Sequence, residues 1–464
     1  MRTEERTAPP ATDGTGHRPG RRGDLIAAAA GVVLVTAAVF AGRSIEAADG
    51  SLFVRWPPLL ASWHPHTGPG TPAAVVVAAA VIAYGPALAD RIGLRALLPA
   101  AWAASLTWIL SLALIEGWGP GVAERLTTRH EYLRAVERFQ DIGAALRGFT
   151  GHILLGSPDN WPTHVAGHPP GATLTFVLLD RIGLGGGAWA GVWCIVTGAS
   201  AVPAVLITIR ALAGERLARR AAPFLVLAPV AVWAGTSADA YFAAVAAWSV
   251  ALLALAATRS VRLPTAAAFA SGLLFGLTCY LSYGLALIAV PLLAVLVLAR
   301  TARPVPLLLA GALVVPVLFT VAGYNWWESY QLLVERYYQG AGGIRPYSYW
   351  VWANLACATV AAGLATFAGL RRAAAGTPGA VRALRTGTTR PSQRLILLVS
   401  AGLLALLAAD LSGMSKAETE RIWQPFLLWL LPATALLPTG TRRGWLAAQT
   451  VVALLVNHLL WTEW

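Results

Sequence analysis

Charge is scarce in this chain. Of its 464 residues 12% are charged and 57% are hydrophobic, whereas a soluble domain carries about 25% charged residues. The mean hydropathy is +0.61. That balance excludes a soluble enzyme, a coiled coil and a β-barrel, whose strands would alternate apolar and polar residues. Lysine is nearly missing, Lys416 being the single one. Cysteine is rare as well: Cys194, Cys279 and Cys357 all lie in apolar runs. With no CxxC or Cys/His spacing, they suggest neither a disulfide framework nor a metal site.

What the chain does contain is a series of apolar runs of ~16–22 residues bounded by Arg, Gly or Pro, long enough to cross a bilayer as helices. The expected fold is all-α, a polytopic bundle of about thirteen spans. They fall near 25–42, 73–90, 96–116, 187–209, 221–235, 239–257, 264–281, 284–299, 304–323, 350–370, 395–410, 422–437 and 444–461. Residues 1–23, rich in Arg, Pro, Gly and Thr, read as a disordered basic cytoplasmic tail. Residues 24–464 then form one transmembrane domain. The first run lacks a small-residue cleavage site soon after it and reads as a retained anchor. Segment 169–184, between Pro169-Pro170 and Gly185-Gly186-Gly187, is short for a span and reads as a re-entrant or tilted helix.

The net charge of +13 resides between the spans. Arg91 and Arg95, Arg210 to Arg220, Arg259 and Arg262, Arg300 and Arg303, the basic stretch 371–394, and Arg442 and Arg443 fall on one face if alternate loops are cytoplasmic. Anionic lipid accounts for that charge without nucleic acid. The other face receives 43–72, 117–168, 236–239, 282–284, 324–349 and 411–421, longer segments with most of the Trp, Tyr, His and carboxylate residues. Polar groups in a membrane protein are costly, and their gathering at one interface points to function there. An alternating-access carrier would place its ligands near the midplane instead.

Segment 117–170 is the richest. Tyr132, Leu133, Val136, Phe139, Ile142, Leu146 and Phe149 recur at three- and four-residue steps, predicting an amphipathic interfacial helix over 128–149. Its polar face would hold Glu131, Arg134, Arg138, Asp141 and Arg147, which could equally be a solvated face of i,i+4 pairs. His164 and His168 follow, four residues apart before Pro169-Pro170. No third ligand is visible, so hydrogen bonding to a hydroxyl or phosphate suits them better than a metal. Asp239, at a span start, reads first as an N-terminal cap. Tyr283 lies in a Ser-Tyr-Gly break, and Arg345 stands beside an aromatic belt. Lys416, Glu418, Glu420 and Arg421 crowd one short loop before a span. Arg421 lies against the charge rule there, so an anionic partner is expected: Glu418, Glu420 or a ligand phosphate.

The retained first span, the long loop with an early carboxylate, the HPPG entry at 168–171 and the ERIWQPF stretch at 420–426 together resemble the GT-C superfamily of polyprenyl-phosphate-dependent glycosyltransferases. It resembles in particular the actinobacterial integral membrane proteins related to mannosyl- and arabinosyltransferases. The resemblance covers most of 25–437. It implies inverting transfer of a sugar from a polyprenyl-phosphate donor to an envelope glycan or glycolipid acceptor on the extracytoplasmic face. It further implies a carboxylate base, best Glu131 and next Asp141, with Arg345, Lys416 and Arg421 on the phosphate and His164 and His168 orienting donor or acceptor. Asp239, Tyr283 and Glu420 complete the expected substrate pocket. Many members carry an acidic pair where this chain has His130-Glu131, and their first large loop follows the first span, not the third. No cofactor is therefore expected, with a divalent metal left open. The other classes consistent with the sequence are a transporter or flippase of a lipid-linked precursor and a non-catalytic membrane scaffold.

Overall fold

Helices crossing the full height of the molecule set its frame. The chain is represented by a computed structural model, and the structure describes residues 20–462, so the tail expected over 1–19 lies outside them. Residues 21–23 already belong to the first helix, Arg21–Asp49. Its 29 residues carry the chain about 43 Å at 1.5 Å per residue. At its start Asp24 is buried and accepts hydrogen bonds from Arg371 and Arg372. Past its other end, the Leu52 carbonyl accepts from Arg345.

Two further helices repeat that polarity. Thr71–Arg91 begins beside His458 and ends where Arg442 pairs with Asp90 and Arg219 donates to the Ala89 and Ile92 carbonyls. Arg442–Leu459 runs the reverse way between the same two ends. It leads into an antiparallel pair of strands, Leu460–Thr462 against Ala61–Trp63, in register Ala61 to Thr462. The backbone just before that sheet, at Leu60, donates to Glu420. Arginines of the loops thus collect at one end, and the 411–421 loop with the two-stranded sheet collects at the other.

Small residues let the apolar helices approach. Gly272 and Gly276 on Pro264–Leu281 face Val305–Val321, and a Cβ at Gly272 would lie 1.9 Å from the Leu308 carbonyl oxygen. This is the small-xxx-small packing that drives helix association in lipid.

Among the described residues seven helices are long and apolar enough to cross a membrane, or nine if two bent pairs each count as a span. This multi-pass membrane protein therefore has fewer continuous crossings than the thirteen apolar runs suggest. The run 221–235 becomes Glu215–Val226 and Ala231–Ala234 around Pro229, and 422–437 becomes Gln424–Leu427 and a 3-10 turn at Leu431–Leu436 around Pro432. Hydropathy registers burial, whereas proline ends the hydrogen-bonded ladder. Such breaks persist because Leu427, Trp429 and Leu431 are buried in protein and not in lipid.

The two bent pairs are Val305–Val321 with Trp326–Gln339, at 79°, and Tyr347–Ala362 with Leu364–Thr386, at 112°. The second turns on Gly363, whose φ of 82° and contact with Pro229 and Gln449 leave no room for a side chain. The basic stretch 371–394, expected as a loop, is helical as far as Thr386.

Segment 128–149 also departs from expectation. It forms a 3-10 helix, Tyr132–Phe139, and a separate short α-helix, Ile142–Arg147. Tyr132, Ala135 and Phe139 are buried, so the apolar period was real, but it packs on protein. Segment 169–184 contains one short helix, Gly171–Arg181, preceded by Thr163–Gly167.

Candidate active site

Glu131 precedes the 3-10 helix in extended conformation, with φ −90° and ψ 163°, and its side chain turns inward. It is 3% exposed. Oε1 lies 2.9 Å from Nδ1 of His164, while Oε2 is buried without a hydrogen-bond partner. The two strands of chain are pinned together, since the His164 amide donates to the His130 carbonyl at 2.9 Å. Burial opposes ionisation of Glu131, but His164 and then Arg421 outweigh it and hold the carboxyl below its ordinary value.

His168 sits one turn on. Its Nδ1 is 2.9 Å from the His164 carbonyl oxygen and 3.0 Å from the Tyr132 hydroxyl. A carbonyl only accepts, so Nδ1 carries the proton and Nε2 keeps its lone pair. Burial drops this imidazole to about 4, leaving it neutral at physiological pH. Phe242 packs on its ring, and Phe176 stacks on Tyr132. His130 lies at the more exposed edge, accepting from Arg129 and bonded to Thr163.

The second half of the site comes from the late loop. Arg421 is buried between two carboxylates, with Nη1 3.0 Å from Asp239 and Nη2 3.1 Å from Glu418. Asp239 is not the cap of Ala238–Thr258; Ser237 is, accepting from the Asp239 amide, and this frees the Asp239 side chain for Arg421. Burial works against the Arg421 charge, but Asp239, Glu418 and Glu131 overcome it and raise its affinity for the proton. Glu418 also reaches Arg345 at 3.7 Å. Arg345 is itself anchored on the carbonyls of Leu52 and Lys416, at 2.9 and 2.8 Å. Lys416 donates to the Gly342 carbonyl at 2.7 Å and lies over Tyr338. Burial and then Arg345 make its ammonium more acidic than usual.

The fold therefore brings together Glu131, His164, His168, Asp239 and Arg421, with Arg345 and Lys416 extending the cluster. It excludes three expected members. Asp141 is exposed and caps Ile142–Arg147 by accepting from the Ala144 amide, because the helix that would have carried it beside Glu131 is broken there. Tyr283 is turned into an aromatic cluster, bonded to the Tyr324 hydroxyl at 2.9 Å and packed on Trp326 and Tyr330. Glu420 points away to the Leu60 amide, and burial pushes its carboxyl up to about 7. Tyr132 and Glu418 gained importance instead. Tyr132 is legible in the sequence only as part of the apolar stripe, whereas Glu418 is one of the anionic partners expected for Arg421 and does pair with it.

Among the described residues no group of three or more His, Cys, Asp and Glu side chains is placed to hold a metal ion. Glu131 and Asp239 are engaged by His164 and Arg421.

No protein-family model matches the chain, and neither does any curated protein. Among solved structures it is similar to the oligosaccharyltransferase AglB of Archaeoglobus fulgidus in complex with an inhibitory peptide and a dolichol-phosphate. The TM-score is 0.46 at 12% identity, covering 78% of this chain and 56% of that one. It is also similar to ArnT of Cupriavidus metallidurans. The apo state gives TM-score 0.40 at 15% identity over 68% of this chain and 55% of that one. The form bound to undecaprenyl phosphate gives 0.38 at 18% identity over 66% and 60%. The chain thus spans little more than half the length of these proteins, and the likeness is one of architecture.

Proposed function

We propose that the protein is an inverting membrane glycosyltransferase that moves a sugar from a polyprenyl-phosphate donor to an envelope glycan or glycolipid on the extracytoplasmic face. The observation that carries this reading is the buried Glu131 carboxylate, one oxygen held by His164 and the other unpartnered, beside the Arg421 cluster.

The chemistry follows from those groups. An acceptor hydroxyl attacks the anomeric carbon of the donor sugar, its proton passing to Oε2 of Glu131 as the new C–O bond forms. The bond from that carbon to the phosphate oxygen breaks, and the polyprenyl phosphate leaves with the electron pair. A positioned base of this kind contributes ~10²–10⁴ in rate. The growing charge on the phosphate is met by fixed cations, for which Arg421, Arg345 and Lys416 are suited because each is held in place by other groups. His164 keeps the carboxylate ionised and oriented. The neutral His168 offers Nε2 as an acceptor for a sugar hydroxyl.

Glu131→Gln tests the assignment in membranes supplied with a polyprenyl-phosphate sugar. Transfer should fall by ~10²-fold or more at normal protein level. Retained transfer removes Glu131 as base. Movement of the lipid-linked sugar across sealed vesicles without its consumption would favour a transporter instead.

A further inference from the structure

Of the charged groups gathered at Arg421 and Arg345, Glu418 alone lacks an evident task. Arg421 is fixed by Asp239 in a pair whose side chains are each 8% exposed. Arg345 is fixed by the carbonyls of Leu52 and Lys416. Neither guanidinium needs Glu418 to stay where it is. Yet Glu418 spans them, Oε1 toward Arg345 at 3.7 Å and Oε2 toward Arg421 at 3.1 Å. At 24% exposure its side chain is also the most open member of the group, against 10% for Arg345 and 8% for Arg421.

The backbone beneath it is unusual too. Ala417 and Glu418 both adopt left-handed conformations, with φ 74° and 63°, a strained arrangement that persists only where the surroundings over-determine it. The loop is tied on both sides. Asn354 donates to the Ser415 carbonyl and to Asp410, and Glu420 accepts the Leu60 amide. The chain is thus forced to present an acidic residue between two anchored cations. A doubly anchored guanidinium pair facing one partly open carboxylate has the charge pattern of an anion site filled from within.

We propose that Glu418 is an internal placeholder for the lipid phosphate: its carboxylate neutralises Arg345 and Arg421 in the empty protein and is displaced when the headgroup of a polyprenyl phosphate takes its place between them. This deepens the glycosyltransferase reading and rests on it. No covalent step is involved. Displacement exchanges one anion for another, so Arg345 and Arg421 keep a shared anion between them throughout, while Arg421 keeps Asp239 as its buried partner. A competing internal ligand lowers apparent affinity by the fraction of time it occupies the site. It also helps eject the spent carrier after transfer.

The test is direct binding of undecaprenyl phosphate to the purified full-length protein in detergent, with inorganic phosphate as competitor. Glu418→Gln should bind the lipid about tenfold more tightly than the unmodified protein, as removing an occupant present about nine-tenths of the time requires. Glu418→Asp, which shortens the reach to Arg345, should fall between and serves if the glutamine variant does not fold. Asp239→Asn adds the same unit of positive charge but loosens Arg421, and should weaken binding. If the unmodified protein binds the lipid and Glu418→Gln binds it no better, the placeholder is refuted while the donor reading stands. Equal tightening by Asp239→Asn would refute it as well, since bulk charge would then suffice. Inorganic phosphate that displaces the lipid at equal concentration overturns the lipid headgroup as the intended occupant. If no variant binds the lipid, the donor reading itself fails.

Discussion

The two ends of the helical frame use arginine in different proportions and different company. At one end arginines outnumber acids; Arg371 and Arg372 share Asp24 and Arg442 pairs with Asp90, but several arginines spend their donors on the carbonyls that helices leave unsatisfied at their C-termini. Arg219 donates to Ala89 and Ile92, Arg220 to Leu437, and Arg394 to Leu212. At the other end cations are fewer and, although Arg345 is also anchored on the carbonyls of Leu52 and Lys416, two of them converge on shared carboxylates: Arg421 on Asp239 and Glu418, and Arg345 on Glu418. Glu131 and His164 form a buried pair of their own beside them. The first arrangement mainly secures helix ends. The second places titratable groups at fixed distances in a low-dielectric setting, which is what a reaction centre needs.

If that contrast holds, damage at the two ends should differ in kind. The largest effect is expected for Arg421→Gln, which leaves Asp239 buried opposite a neutral partner. A cost of about 3–5 kcal/mol, read as a fall in thermal stability, should accompany loss of binding to a polyprenyl phosphate. A variant of normal stability and normal binding would dissolve the distinction. Asp24→Asn, at the other end, removes the acid shared by Arg371 and Arg372 but keeps one acceptor. It should cost about 1–3 kcal/mol in the melting transition and leave lipid binding unchanged.

A smaller effect is expected from pH. Burial raises the Glu420 carboxyl from 4.5 to about 7, so the folded protein holds a proton there that the unfolded chain has released. The stability this confers is complete below pH 4.5 and is lost as pH rises toward 7. Glu420→Gln should remove that slope from a plot of melting temperature against pH, and an unchanged slope would show that another group is responsible. The smallest change is expected from Asp90→Asn, whose partner pair with Arg442 is half open to solvent. Below ~1 kcal/mol is expected by denaturation, and a larger loss would mean that the arginine-rich end is built of specific pairs after all.

Much of this layout is legible in the sequence, and the parts that are not share a cause. Glu131, His164 and His168 were legible because ionisable residues stood out in a chain poor in charge. Arg421 was legible because it violates the charge rule and so demanded an anion. Asp141 was misplaced because periodicity over 128–149 implied a continuous helix. Asp141 is itself the cap at which that stretch divides. Glu420 and Glu418 stand two residues apart and were indistinguishable in sequence. The left-handed turn at Ala417 and Glu418 sends one toward the arginines and the other toward Leu60. Asp239 looked like a cap because aspartate favours that position, and Ser237 filled it first.

The order of residues by itself determined that this protein is helical, that the bilayer is its solvent, and that most of its arginines lie in other loops than its reactive groups. Those properties follow from the energy of moving residues between water and hydrocarbon, which each segment settles for itself. Only the tertiary structure decided that Glu131, some 290 residues before Arg421 in the sequence, shares a buried cluster with it, and that Asp239 is the carboxylate paired with Arg421 there. Such pairings depend on where helices break and how loops turn, and those choices are made by packing between distant segments.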